Sequence, residues 1–349
     1  MRKIKIIGIF LFLIVTGIAV GTVLGITIGN GLDIGIMRAA VSNNRSTHYI
    51  DGNCYIYVNL EYMPKSSGAN PSADSRGTMA FDPSNPPATY MLDEIFEFFD
   101  GTLAVYFKNL TTGFTYTYNP DGVFFGASLS KIKHAMYVYT LAERGLVNMY
   151  TVHTFTAADF WGGTGILRFE PAGTRLTTRE LLGHSIIYSC NVAFRMLVRY
   201  TANKSFSFHD FTIEINANAD LIGNVIAQDT SARDMSLWMY AIFNYLESDS
   251  RYGHYFMYDL LNTAPTSHHY FTRWQGSFGT GGEIDVRLLH SDYPMARKYG
   301  WSPFAFHEAA IVYGPSPFLL VVLSDMDRGA HNLFEDISWL MQEFNDEWF

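Results

Sequence analysis

The chain has 349 residues, 48% of them hydrophobic and 16% aromatic, which suits a sizeable buried core and argues against wholesale disorder. A formal charge of −9 argues against a nucleic-acid partner, which would favour a basic face. Two cysteines, Cys54 and Cys190, are too few for a disulfide framework; one bridge or two free thiols both fit.

In chain order, Arg2, Lys3 and Lys5 precede an uncharged run from Ile6 to Gly29. A helix of that length can span a hydrocarbon core of roughly 30 Å. Residues 1–30 are therefore predicted to be a cytoplasmic tip and transmembrane anchor, with everything after it outside the cytoplasm. A cleaved signal peptide is the rival reading, but its apolar region is usually shorter and ends at a small-residue cleavage site. Residues 31–88 read as an extracytoplasmic stalk, since Pro64 to Pro87 has linker composition. One β-like piece, Cys54 to Leu60, interrupts it.

Residues 89–349 read as the compact domain. Met91 to Phe99 is apolar at helical spacing, and Thr102–Lys108 and Phe114–Tyr118 form a hairpin about Thr111-Thr112-Gly113. A helix is predicted from Ser128 to Arg144, stopped by Gly145. Thr177 and Glu180 make a capping box that opens another helix. Near the end, Ala309–Tyr313 and Phe318–Ser324 form a second hairpin around Gly314-Pro315, before an amphipathic helix from Asn332 to Phe344. Strands at both ends with helices between them predict an α+β domain, an antiparallel sheet covered by helices.

Three short segments carry candidate chemistry. Ser128 and Lys131 are three apart at a predicted helix start, which puts both side chains on one face. A desolvated neutral lysine can take a serine proton, and a helix N-terminus favours the developing oxyanion. The pattern is weak alone; Ser130 and Lys133 repeat it. Ser189 and Asn191, one residue apart, can aim a hydroxyl and an amide into one cleft, although an ordinary polar turn looks the same. Lys298-Tyr299-Gly300, followed by Trp301, puts a lysine in an edge strand with a glycine that lets a substrate approach the backbone.

In this order the segments match S-x-x-K, S-D-N and K-T-G, and the chain resembles the β-lactamase and penicillin-binding protein superfamily, more closely the class A β-lactamase-like serine hydrolases. Phe125–Lys131 resembles the nucleophile segment and Gly163–Asn191 the all-helical subdomain. Asp229–Met235 resembles the return to the main domain, and Phe306–Val312 and Phe318–Ser324 the closing strands. The resemblance implies a β-lactamase/transpeptidase-like fold and an acyl-enzyme formed on Ser128 with a β-lactam or a D-alanyl, peptidoglycan-type peptide. Lys131 would be the base, Ser189 a proton shuttle, Asn191 a substrate-positioning residue and Lys298 the carboxylate binder. Tyr299 and Gly300 would flank the substrate, and the N–H groups of Ser128 and Trp301 would form the oxyanion hole. No cofactor or metal is implied. A DD-peptidase, or a sensor of the same fold without turnover, is the alternative.

The chain departs from the pattern in three places. Cys190 replaces an aspartate, Tyr299 replaces a small hydroxyl residue, and the deacylating glutamate has no secure equivalent: Glu214 and Asn218 form E-x-x-x-N but stand too near Asn191. Gly279-Thr280-Gly281 lacks the lysine that a third motif needs, and reads as loop. No G-x-S-x-G, H-E-x-x-H or paired C-x-x-C is present. His134, His184 and the pair His268-His269 read as core or surface histidines.

Overall fold

A computed structural model describes residues 18–28, 34–42, 47–50, 53–59, 89–99, 102–223, 225–226, 228–263, 288–302, 305–326 and 331–349. It forms two compact units, Met1–Gly68 and Ala69–Phe349.

The first unit differs in secondary structure from what its sequence suggested. In place of the anchor helix stands β1 (Ile18–Ile28), which pairs antiparallel with β2 (Ile34–Ser42); β3 (Thr47–Ile50) and β4 (Asn53–Asn59) complete a sheet of order β2-β1-β4-β3. Among the described residues no helix is long and apolar enough to cross a membrane. The physical reason lies in the run itself. Ile18, Val20, Leu24, Ile26 and Ile28 alternate with Ala19, Gly21, Gly25 and Thr27, a period-two pattern rich in β-branched residues, and two glycines disfavour a helix. The expected stalk likewise holds β2, β3 and β4, while Pro64 to Pro87 lies outside the described residues.

The second unit begins with α1 (Tyr90–Phe96) and a short 3₁₀ turn, Glu97–Phe99. The predicted hairpin is β5 (Leu103–Asn109) and β6 (Thr115–Tyr118). A two-residue strand, β7 (Phe124–Phe125), leads into α2 (Leu129–Glu143). Strands β8 (Val152–Thr154) and β9 (Arg175–Thr177) flank the next loop, and α3 (Thr178–Ile187), α4 (Asn191–Thr201) and α5 (Phe208–Glu214) follow. The capping box of α3 is present: Glu180 N–H donates to Thr177 Oγ1 at 3.2 Å and Thr177 N–H to Glu180 Oε2 at 2.7 Å.

The chain returns through β10 (Asp229–Thr230), paired with β7, into α6 (Ala232–Leu246) and α7 (Gly253–Leu261). Strands β11 (Met295–Ser302), β12 (Ala305–Val312) and β13 (Phe318–Ser324) and helix α8 (His331–Trp348) close it.

Five strands form one antiparallel sheet, β11-β12-β13-β5-β6, so the N-terminal hairpin extends the C-terminal strands. Every residue of β12 and β13 is buried, as central strands with helices on both faces should be. Phe107 of the sheet packs on Phe318, ring centroids 5.2 Å apart, and meets Phe344 of α8 edge-on. Helix α2 sits between the sheet and the helical subdomain, touching β11 and β12 on one side and α3, α4 and α5 on the other. That position buries 13 of its residues, including Lys131, Lys133 and His134. The expected α+β architecture is thus present in this unit.

Candidate active site

The nucleophile candidate stands at the mouth of α2. Ala127 has φ 45°, a left-handed conformation that a non-glycine residue adopts only when its surroundings impose it. The turn delivers half-buried Ser128 as the residue preceding α2, where helix N–H groups lack intrahelical partners. Among the described residues the Ser128 N–H has no protein acceptor. Two contacts fix this turn. Gly300 of β11 lies so close that an added Cβ would meet Gly126 O at 3.1 Å and Leu129 N at 3.2 Å, so any larger residue would push the turn back by a few tenths of an ångström. His307 of β12 donates from Nε2 to Phe125 O at 2.8 Å, and its Nδ1 accepts from Ser324 N–H at 3.1 Å. Burial pushes His307 down to about 4, which keeps the ring neutral and able to do both.

Lys131 is 3% exposed, and its Nζ lies 2.6 Å from Ser128 Oγ, 2.7 Å from Asn191 Oδ1 and 3.3 Å from Ser189 Oγ. Desolvation by burial lowers its pKa to about 7, and the neighbouring Cys190 acts in the opposite direction. A neutral amine fits the geometry. Its N–H groups serve Asn191 and Ser189, and its lone pair accepts the Ser128 hydroxyl proton.

Ser189 lies at the α3–α4 junction with φ 50°. Thr164 Oγ1 donates to its carbonyl at 2.6 Å, and Asn191 N–H to Thr164 O at 3.0 Å, so the Gly162–Arg168 loop clasps the junction. An added Cβ on Gly165 would run into Cys190, which fills the N-cap position of α4 and is a buried free thiol. Asn191 is engaged at both ends, accepting from Lys131 and donating through Nδ2 to Gly162 O at 2.7 Å.

Lys298 completes the group from β11. It is fully buried, and its Nζ donates to Ser189 Oγ at 3.1 Å and to Tyr299 O at 2.8 Å. Its pKa is lowered well below the ordinary value, first by burial and then by the nearby Lys131. Tyr299 is 4% exposed; its ring centroid is 3.9 Å from Lys298 Nζ and its hydroxyl is bonded to Ser189. Trp301 follows Gly300 on the same strand.

The three segments named from sequence therefore converge, with Ser189 Oγ at the junction of both lysines and Tyr299. The lookalikes do not join them. Ser130 Oγ donates to Ala127 O at 2.9 Å, while Lys133 pairs with Asp234 at 2.8 Å inside the core. Glu214 is half-exposed and pairs with Arg144, and the Asn218 side chain caps a 3₁₀ turn. Gly279-Thr280-Gly281 and His268-His269 lie outside the described residues. Among those described, no three His, Cys, Asp or Glu side chains group to hold a metal. Sequence reasoning missed His307 and the Lys133–Asp234 pair, whose partners are far away along the chain; the alternating apolar strand around His307 held no signal for either.

Among solved structures, PBP-A superposes with a TM-score of 0.60 at 17% identity, covering 74% of this chain and 97% of its own. A mutant of PBP-A has been seen as an acyl-enzyme complex with penicillin G. A β-lactamase from Sphaerobacter thermophilus gives a TM-score of 0.59 at 16% identity, covering 74% of this chain and 98% of its own. An ancestral class A β-lactamase gives 0.56 at 19%, covering 73% and 99%. At such identities these structures speak for the fold alone, and no curated protein matches the chain in sequence. A family model described as the beta-lactamase enzyme family matches residues 88–343, most of the chain and all of the site, and the chain belongs to that family.

Proposed function

We propose that the protein is a serine acyl hydrolase that forms an acyl-enzyme on Ser128 with an amide or lactam of the β-lactam or D-alanyl peptide type. The observation that carries this reading is the 2.6 Å contact between Ser128 Oγ and a buried lysine whose pKa is near 7. As the Ser128 Oγ–carbonyl bond forms, its proton passes to Lys131. The N–H groups of Ser128 and Trp301 are assigned to the oxyanion. When the carbon–nitrogen bond breaks, Ser189 relays the proton from Lys131 to the leaving nitrogen. Asn191 holds the Lys131 amine towards Ser128.

Among the described residues no carboxylate contacts Ser128 or Lys131. Hydrolysis of the acyl-enzyme is therefore the slow step, and the acyl adduct accumulates. Intact mass spectrometry of the protein with benzylpenicillin tests this: the expected result is one adduct per chain, absent in Ser128→Ala and reduced at least a hundredfold in rate in Lys131→Met. Equal adduct formation in wild type and Ser128→Ala would sink the assignment. Placement outside the cytoplasm rests on the basic-then-apolar sequence pattern of residues 2–29 alone, since the described part of that run is strand β1 and not a helix. Protease treatment of intact cells should remove the catalytic unit; full protection would argue for the opposite side.

A further inference from the structure

The cations beside Ser128 face inward. Lys298 is 0% exposed, with its ammonium on Ser189, the Tyr299 carbonyl and the face of the Tyr299 ring. Lys131 is spent on Ser128, Ser189 and Asn191. Arg297, the preceding residue of β11, pairs with buried Glu308 at 2.9 Å and donates to Leu289 O at 2.9 Å. The Tyr299 ring covers one side of the Lys298 ammonium, its centroid 3.9 Å away.

The segments that carry the site also expose large apolar side chains, with two exposed carboxylates among them, Asp229 opposite Phe125 and Glu170 after Phe169. Phe125, three residues before Ser128, and Tyr188, next to Ser189, are each 44% exposed. Ile166 and Phe169, 39% and 46% exposed, stand on the loop that clasps Ser189 and Asn191. The cation of that loop, Arg168, donates to Gly163 O and lies over the Phe169 ring. Among the described residues of these segments, an anion entering here would lose its hydration against aromatic side chains and carboxylates, with both lysines and Arg168 already engaged.

We propose that Tyr299 sets the substrate class: the site takes acyl donors that are uncharged beside the scissile bond and apolar on the acyl side, and discriminates against a free carboxylate there. This rests on acyl transfer at Ser128 and ranks its donors: among lactams and peptides, those whose carboxylate is masked as an ester or amide react faster, and free benzylpenicillin acylates Ser128 more slowly. The reaction is unchanged: Ser128 Oγ bonds to the carbonyl carbon, the leaving group departs with the relayed proton, and water later releases the acid.

Benzylpenicillin and its methyl ester share one lactam and differ in that charge, so they test the proposal on the full-length chain. Adduct formation on Ser128 should be at least tenfold faster with the methyl ester, and p-nitrophenyl butyrate should be turned over. Tyr299→Ser, which uncovers Lys298, should shift the preference at least tenfold towards the acid, while Tyr299→Phe, which keeps the ring, should leave it in place. A fluorophosphonate reports on Ser128 independently. If it labels Ser128 while the free acid reacts as fast as its ester, or while no neutral donor reacts, the inference fails and acyl transfer stands. Failure of every reagent to modify Ser128 overturns the acyl-transfer reading and this inference with it.

Discussion

At Lys131 the group that the chemistry needs is one that the fold would rather discharge. Its pKa is about 7 in the folded chain and about 10.4 when unfolded. Acylation requires the neutral amine, so its rate should rise about tenfold per pH unit below 7 and level off above about 8, as stopped-flow acylation between pH 5 and 9 would show. Stability follows the same proton. Between about 7 and 10.4 the unfolded chain carries a proton that the folded chain has shed, so stability increases with pH across that window. Below 7 the cost of the buried charge is fully present. The urea midpoint should therefore climb from pH 7 to 9.5, and Lys131→Met should remove part of that climb; Lys298 and Lys133 are shifted the same way and contribute to it. A flat wild-type profile would contradict the assignment.

At the scale of elements, the base is held by helix α2, and α2 is held by a buried ion pair. Lys133 Nζ reaches Asp234 Oδ2 at 2.8 Å and Thr230 Oγ1 at 3.1 Å, and Asp234 Oδ1 accepts from Asn218 N–H at 2.8 Å. One carboxylate thus joins α2, α6, β10 and the turn after α5. Asp234→Asn leaves Lys133 charged and unpaired, and should cost about 3–5 kcal/mol in chemical denaturation. Lys133→Met combined with Asp234→Leu should recover most of the loss, because removing both charges also removes their desolvation cost. Elements with local signals were legible in the sequence: the Thr177–Glu180 box, the Gly145 stop and both hairpins each depend on residues a few positions apart. The site was legible because three weak patterns occur in one order. Burial was not. Nothing around Lys298 says that Tyr299 folds over its ammonium, and Lys133 looked like a chance repeat until α6 brought Asp234 to it. The N-terminal strands were misread because length and lack of charge outweighed the alternation of large and small residues from Ile18 to Ile28.

For the whole molecule, the division at Gly68 separates a four-stranded sheet from a unit that contains every residue assigned to catalysis. A chain beginning at Ala69 should fold and acylate Ser128 within twofold of the full-length rate; loss of the adduct would show that the first unit contributes to the site. Within the second unit, the helical subdomain joins the rest through α2, through the Arg179–Asp259 pair with α7 and through the bond from Lys298 of β11 to Ser189, so the junction that carries Ser189 lies where the two halves meet. Cys190 sits there, inert in the closed state because burial raises its pKa and shields its sulfur. In a Cys54→Ser background the rate of its alkylation would therefore count each time the cleft opens without substrate, and acylation of Ser128 should lower that rate.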